Sequence, residues 1–302
     1  SPAAGVATLN KNKTAVFLAS TYQDSLVPPG NLIGFYDKLT GPKHLEFAPG
    51  DHGASALAGL YGQRSALWIS VGKWVARYIN NGTEIAGKPV QLTDASTGTV
   101  HGYGEFPSAA KPDTLRLGAA SGTPATGTLA DALGSPADPG WAQSIAAGTP
   151  TIADAGPQQV SIGAGYRPPT APIADVSRSA GLVWSGTPVV SATVISGEPR
   201  VHVGESSTAA NASLFAYLYD VDAGGTGTLL SYGTRTLTGT PGVAQAANIE
   251  LDPISWTVPA GHHLSLVIDS VDARYLGRSV PGSTITLSSS ASDPATLSVP
   301  VG

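Results

Sequence analysis

Apolar positions in the first eighty residues follow two different periods. Ala15 to Ala19 form an unbroken apolar run inside "TAVFLASTYQDSLVPP", the pattern of a strand covered on both faces, as in a parallel sheet. "GNLIGFYDKL" then groups Leu32, Ile33, Phe35, Tyr36 and Leu39 on one side of a helix, and "KHLEFAPG" is a second short strand. Leu67, Val71, Trp74, Val75 and Tyr78 recur at i, i+4, i+7, i+8 and i+11, a single amphipathic stripe. The spacing assigns Trp68 and Trp74 to a core, and Asn80, Asn81 and Gly82 supply the C-terminal cap. Residues 14–82 therefore predict strand, helix, strand, helix, the end of an α/β sheet.

The character changes near residue 90. "TLRLGAA", "VVSATVISG", "RVHVGES", "SLFAYLYDVD", "LLSYGTRTLTG", "NIELDPISWTV" and "HLSLVIDSVD" read as strands separated by Gly, Pro and Asn turns. Helical patterns interrupt them only in "GTLADALG" and "WAQSIAAG", and the Pro-, Gly- and Ala-rich segment 135–180 is expected to wrap the surface as long loops. Short strands at this spacing predict a β-sandwich, and among sandwiches a jelly roll. The expected division is an α/β segment over 1–90 and an all-β sandwich over 91–302. No repeat period or charge block is present.

Composition agrees with many turns and few long helices. Charged residues are 12% of the 302, about half the roughly 25% usual in globular domains, while 37 Gly and 24 Pro exceed the average. A net charge of −5 without a basic run excludes nucleic acid and anionic membrane as expected partners. No apolar run approaches the roughly 18 residues of a membrane span. Without cysteine there is no disulfide, thiolate nucleophile or Cys-based metal site. Without methionine, the chain is expected to lack its own translation start, an upstream piece having been removed. Few lysines and Ser/Thr/Gly-rich loops fit a secreted or cell-surface protein.

Chemistry is sparse. "EFAPGDHGAS" breaks a strand at Pro49-Gly50 and presents Asp51 and His52 on a turn. A reactive base at a strand end would be held by a rigid scaffold, and a solvated turn residue would look the same. His262 and His263 in "PAGHHLSL" lack a third ligand nearby in sequence and, on a strand, would face opposite ways. Asp220 and Asp222 in "DVDAGGTG" lack the distal Glu of a calcium loop and fit a hairpin turn. "HGYGEFP" sets Tyr103, Glu105 and Phe106 near the expected boundary, as pocket lining or packing. Phe215, Tyr217 and Tyr219 share a strand face, which suits a core or an exposed binding row equally. No cofactor or metal is implied.

Taken together, "TYQDSLVPP", "FAPGDHG", "GEFPSAAKPDTLRLG", "LVWSGTPVVSATVISGEPRVHV", "FAYLYDVDAGGTGTLLSYGTRTLTG" and "VPAGHHLSLVIDSVDARY" resemble the C-terminal part of the peptidase S15 and cocaine esterase group, over roughly 14–300. These are α/β-hydrolases followed by the jelly-roll domain named for X-Pro dipeptidyl-peptidases. The resemblance implies that Asp24 is the acid and His52 the base of a catalytic triad. Their separation of 28 residues leaves room for one helix and one strand, so both can emerge at the same sheet edge. The bland alternatives are that Asp24 caps the helix after Gly30 or orders the "DSLVPP" turn.

The resemblance also implies a nucleophile elbow, Gly-x-Ser-x-Gly on a strand-to-helix turn, and the chain has none. "GASALAG" (53–59) and "GESSTAA" (204–210) are the nearest strings, and neither is expected to follow a parallel strand and open a helix in the required way. In the family, nucleophile and oxyanion donors precede the acid. The expected protein is thus an exported serine peptidase or esterase whose serine lies on a missing or separate, docked N-terminal chain, this chain alone being inactive. The alternative is a carbohydrate- or protein-binding jelly-roll module with a vestigial hydrolase segment. Substrate, whether X-Pro peptide, other acyl peptide, simple ester or β-lactam acyl ester, would be set by elements upstream of Ser1.

Overall fold

The computed structural model describes residues 2–24, 26–83, 87–106, 112–132, 139–153 and 167–301. They form two compact units: the described residues through Phe106, with Arg167 and Asp252–Thr257, make the first, and the remainder make the second.

The first unit runs α1 (Val6–Lys11), β1 (Val16–Thr21), α2 (Gly30–Asp37), β2 (Lys43–Ala48), α3 (Ala54–Leu60), α4 (Ala66–Ile79), β3 (Val90–Thr93) and β4 (Val100–Tyr103). The strands form one sheet in that order, parallel from β1 to β3 and antiparallel at β4. Leu45, Phe47, Val90 and Leu92 are buried at its centre, with Tyr22 stacked on Phe47 and Phe106 edge-on to it. The Asn10 amide donates to the Lys38 carbonyl and accepts the Thr40 N–H, tying α1 to the end of α2. The cap expected after α4 is present: Asn81 adopts a left-handed φ of 55° and the Gly82 N–H returns to the Ala76 carbonyl.

Helix α4 differs from expectation in its burial. None of its residues is fully buried, and Trp68, assigned to a core by spacing, is 43% exposed with its indole N–H donating to the Ala56 carbonyl. The apolar stripe is real, but among the described residues no layer covers its outer side. Trp74 does pack inward, against Phe17 and His44.

The second unit is built from β5 (Pro112–Leu117), β6 (Gly127–Asp131), β7 (Trp141–Ala146), β8 (Thr170–Pro172), β9 (Leu182–Ser185), β10 (Thr193–Gly197), β11 (Arg200–Ser207), β12 (Asn211–Val221), β13 (Thr226–Thr238), β14 (Gln245–Glu250), the end of β15 (Ile254–Val258), β16 (His263–Asp269), β17 (Thr284–Ser289) and β18 (Thr296–Pro300). A continuous hydrogen-bonded path runs β7-β17-β11-β18-β5-β6-β9-β16-β12-β13-β8, with β14 on the other edge of β11. The β6–β9 pairing is parallel and the rest antiparallel, so the large sheet is mixed. β12 is buried along nearly its whole length because both its faces are covered. One face carries Phe215, Tyr217 and Tyr219 into a cluster with Val183, Leu229, Tyr232 and Val267, so this aromatic row is core.

Two stretches expected to be helical are strands. Gly127–Asp131 of "GTLADALG" form β6, its last two residues lying outside the described residues, and Trp141–Ala146 of "WAQSIAAG" form β7; in the latter Trp141 and Ile145 are buried while Ala142, Ser144 and Ala146 are not, and β17 supplies the partner. Tertiary pairing overrides the helical preference of alanine. Gly127 at the start of β6 is required, since a Cβ there would lie 2.2 Å from the Trp184 ring and 2.5 Å from the Gly118 carbonyl. The expected long loop over 135–180 contains β7, β8 and a 3-10 turn at Ile173–Asp175; its parts 135–138 and 154–166 lie outside the described residues.

Candidate active site

Asp24 and His52 meet because two parallel strands end together. The register pairs Thr21 with Ala48. Beyond the strand ends the chains stay in step, Tyr22 N–H bonding the Ala48 carbonyl and Gln23 N–H the Gly50 carbonyl. This sets Asp24 beside the turn that bears His52. That turn reverses through Gly50 (φ 133°) and Gly53 (φ 70°), left-handed conformations open to glycine and costly for other residues. Gly53 then opens α3.

The His52 Nδ1–H donates to Asp24, 2.9 Å from Oδ1 and 3.0 Å from Oδ2. Asp24 is 8% exposed, whereas the His52 side chain is 48% exposed. The same Asp24 Oδ1 accepts the N–H groups of Leu26 and Val27, at 3.1 and 2.8 Å, so the carboxylate is fixed before it fixes the imidazole. It therefore does order the "DSLVPP" turn as well as hold the histidine. Asp51, also buried, accepts the His52 backbone N–H at 2.6 Å and braces the turn. An anion on Nδ1 selects the tautomer with a free lone pair on Nε2, and Nε2 has no partner among the described residues. The pair can accept a proton at Nε2 and stabilise the imidazolium that results.

"GASALAG" does follow a parallel strand and open a helix, contrary to expectation, but the residue at the turn's tip is His52. "GESSTAA" lies along antiparallel β11 and the turn after it. His262 Nδ1 bonds Asp220 at 2.9 Å, a structural pair at the base of the β12–β13 hairpin. Asp222 turns that hairpin by accepting the Gly224 and Thr226 N–H groups. Phe106 packs in the core while Glu105 lines a pocket with Gly104.

Other polar sites gave no sequence signal. Asp94, fully buried, accepts the Ser96 and Thr257 hydroxyls at 2.7 and 2.6 Å and the Ser96 and Thr97 N–H groups. Burial pushes its pKa up, but these donors outweigh burial and hold it below the usual carboxylate value. Glu205 is 1% exposed on β11, its Oε2 bonded to Gln245 and its Oε1 unpartnered, and burial raises its pKa. His202 bridges Asn248 and Asp293, both at 2.7 Å; the Asn248 bond raises its pKa, burial opposes, and Asp293 adds to the rise.

Residues 82–299 match the family model described as the X-Pro dipeptidyl-peptidase C-terminal non-catalytic domain. The chain belongs to that family. Its fold is shared with an aminopeptidase from a marine sediment Thaumarchaeota archaeon (TM-score 0.71, 14% identity, 95% of this chain and 55% of the other). It is shared too with a CocE/NonD family hydrolase from Staphylococcus aureus (0.68, 12%, 94% and 53%) and an α-amino acid ester hydrolase (0.68, 16%, 93% and 54%). At these identities the likeness is one of fold. The chain spans about half the length of these structures, and among curated protein sequences none matches. Membership places this chain with the peptidase and esterase relatives anticipated from its motifs. The matched range begins after His52, so Asp24 and His52 lie outside the family's non-catalytic domain.

Proposed function

We propose that this chain carries the acid and base of a serine hydrolase of acyl esters or peptides, with Asp24 orienting His52 and a serine supplied by an N-terminal hydrolase polypeptide. The observation that carries this reading is the Asp24–His52 bond at the shared C-terminal edge of two parallel strands, with Nε2 left open. In the reaction, Nε2 takes the serine proton as Oγ attacks the carbonyl carbon. It returns that proton to the leaving alcohol or amine as the C–O or C–N bond breaks. Water then cleaves the acyl-enzyme by the same route, releasing a carboxylic acid.

The first unit is read here as the end of an α/β-hydrolase sheet and the second as a jelly roll. β1 pairs with β2 on one edge and with no strand on the other among the described residues. Leu26, Leu60, Tyr61, Ile69 and Ile79 are exposed apolar residues of the same unit. An unpaired parallel edge and exposed apolar side chains in one unit call for a covering partner, and the serine-bearing polypeptide is the occupant that would also complete the triad. Export from the cell is part of this reading, supported by composition alone.

The test is to treat natively purified material with a fluorophosphonate and take intact masses under denaturing conditions. A labelled, co-purifying second polypeptide, with labelling lost in His52→Ala, is the expected result. Undiminished labelling or turnover in His52→Ala overturns the assignment of the base.

A second reading, a binding module, has one observation in its favour. A polar groove of about 330 Å³ lies over β11, β14 and β17, lined by Gly204, Gln245, Ser288, Ser290 and Asp293. Retention on a polysaccharide column that survives His52→Ala and is lost in Asp293→Ala would support it.

A further inference from the structure

Strand β2 leads to His52 at its C-terminal end; a second concavity opens at its other end. At about 3.3 Å per residue, Lys43 and Ala48 stand roughly 16 Å apart, and the turn adds to the distance from the catalytic pair. The cavity is about 350 Å³, within the range of small-molecule sites.

Its walls are aromatic. Trp74 and Tyr78, one helical turn apart on α4, pack against each other with ring centroids 4.5 Å apart and planes tilted by 49°, forming one aromatic wall, and Tyr36 forms another part of the lining. His44 contributes to it as well, 2% exposed, stacked on Phe17 at 4.9 Å and held by Glu46 at 2.9 Å. Glu46 is thereby already engaged. The polar lining holds two cations, Lys43 and Arg77, against one carboxylate, Glu105. Lys43 is pre-positioned: its Nζ donates to the Tyr36 carbonyl at 3.0 Å and lies 4.1 Å from the Tyr36 ring centroid. Among the described residues Arg77 makes a 3.5 Å bond to the Thr83 carbonyl and lies 5.8 Å from the Tyr78 ring centroid, contacts that use few of its five guanidinium donors.

Flat aromatic walls favour a planar apolar body, and a surplus of cations favours a negative head group. A guanidinium is the side chain best suited to bind a carboxylate through two parallel bonds. We propose that this pocket is a binding site for a small aromatic carboxylate, its ring against Trp74 and Tyr78 and its carboxylate on Arg77 and Lys43. The site is separate from Asp24–His52 and stands whether or not the hydrolase reading holds.

Isothermal titration calorimetry on the whole chain, with phenylacetate as ligand and 2-phenylethylamine as its charge-reversed control, tests this. The expected result is one phenylacetate site per chain, with the amine at least tenfold weaker. Arg77→Gln, at a partly buried position, should weaken phenylacetate roughly five- to tenfold with an unchanged circular dichroism spectrum. The Trp74 indole N–H resonance should move on titration. Absence of phenylacetate binding, equal binding of the amine, or undiminished affinity in a folded Arg77→Gln each overturns the proposal. The readout is binding and not turnover, so its failure leaves the catalytic reading untouched.

Discussion

The Asp24 carboxylate faces the His52 imidazole through both oxygens, at 2.9 and 3.0 Å, while Oδ1 also receives two backbone N–H groups. Asparagine at position 24 can keep accepting the Leu26 and Val27 N–H bonds, so the turn survives Asp24→Asn. It loses the anion that fixes the tautomer and stabilises imidazolium. In the hydrolase reconstituted with its serine-bearing polypeptide, turnover should fall about 10³- to 10⁴-fold. Thermal unfolding of the isolated chain should shift little. Turnover within threefold of the unsubstituted protein would remove Asp24 from the catalytic machinery.

Asp94 holds two distant stretches of the first unit together, since its Oδ2 accepts the Thr257 hydroxyl 163 positions along the chain. Asp94→Ala leaves two hydroxyls and two amides without their acceptor, a loss of about 2–4 kcal/mol. The folded-state pKa lies below the unfolded one. The unfolded state therefore binds more protons in the window between them, and stability falls as pH drops through it. Denaturant unfolding from pH 7 to pH 3 should show that acid-side slope in the unsubstituted chain and a shallower one in Asp94→Asn. Identical slopes would assign the acid sensitivity to other carboxylates.

Glu205 is the opposite case. Its buried carboxyl is raised above the unfolded value of about 4.3, so the folded state retains the proton longer. Stability then falls as pH rises from near 4.3 through the folded value. Glu205→Gln keeps an acceptor for Gln245 and carries no charge to desolvate, so it should stabilise the chain at pH 7 by about 1 kcal/mol. It should have little effect at pH 4. Urea titrations at the two pH values measure the difference, and destabilisation at pH 7 would show that the ionised carboxylate is the native form.

What could be read from the sequence depended on how local each feature was. β1, α2 and α4 are legible from unbroken or 3.6-period apolar runs and β2 from a short stretch ending at Pro49-Gly50; the roles of Asp24 and His52 came from the family resemblance, the strand ends showing only that both side chains could emerge at one sheet edge. Phe215, Tyr217 and Tyr219 alternate as a core strand does, but only the cover over that face showed which side of the sheet is dry. β6 and β7 were misread because alanine-rich stretches favour a helix until a partner strand is present. β3 and β4 are four residues each, too short to carry a period. The Asp94–Thr257 bond was invisible because nothing local connects positions so far apart. Glu205 alternates correctly with Val201 and Val203, yet a charged residue on that face would ordinarily argue against burial.

His202 offers a titration of opposite sign to the carboxylates. It joins β11 to β14 through Asn248 and to the turn before β18 through Asp293. Protonated imidazolium can donate from both nitrogens at once, to the Asn248 and Asp293 oxygens. Its folded pKa is raised above the usual histidine value. The stabilisation is therefore fully present below about pH 6.5 and is lost as pH rises through the folded value. Nuclear magnetic resonance titration of the His202 ring should give a midpoint above 6.5, and Asp293→Asn should lower it because the coulombic partner is gone. Asp293→Asn should also flatten the fall in melting temperature between pH 6 and pH 8. A midpoint below 6.5 would mean that the bridge holds a neutral ring, with Asn248 turned to donate its amide to Nδ1.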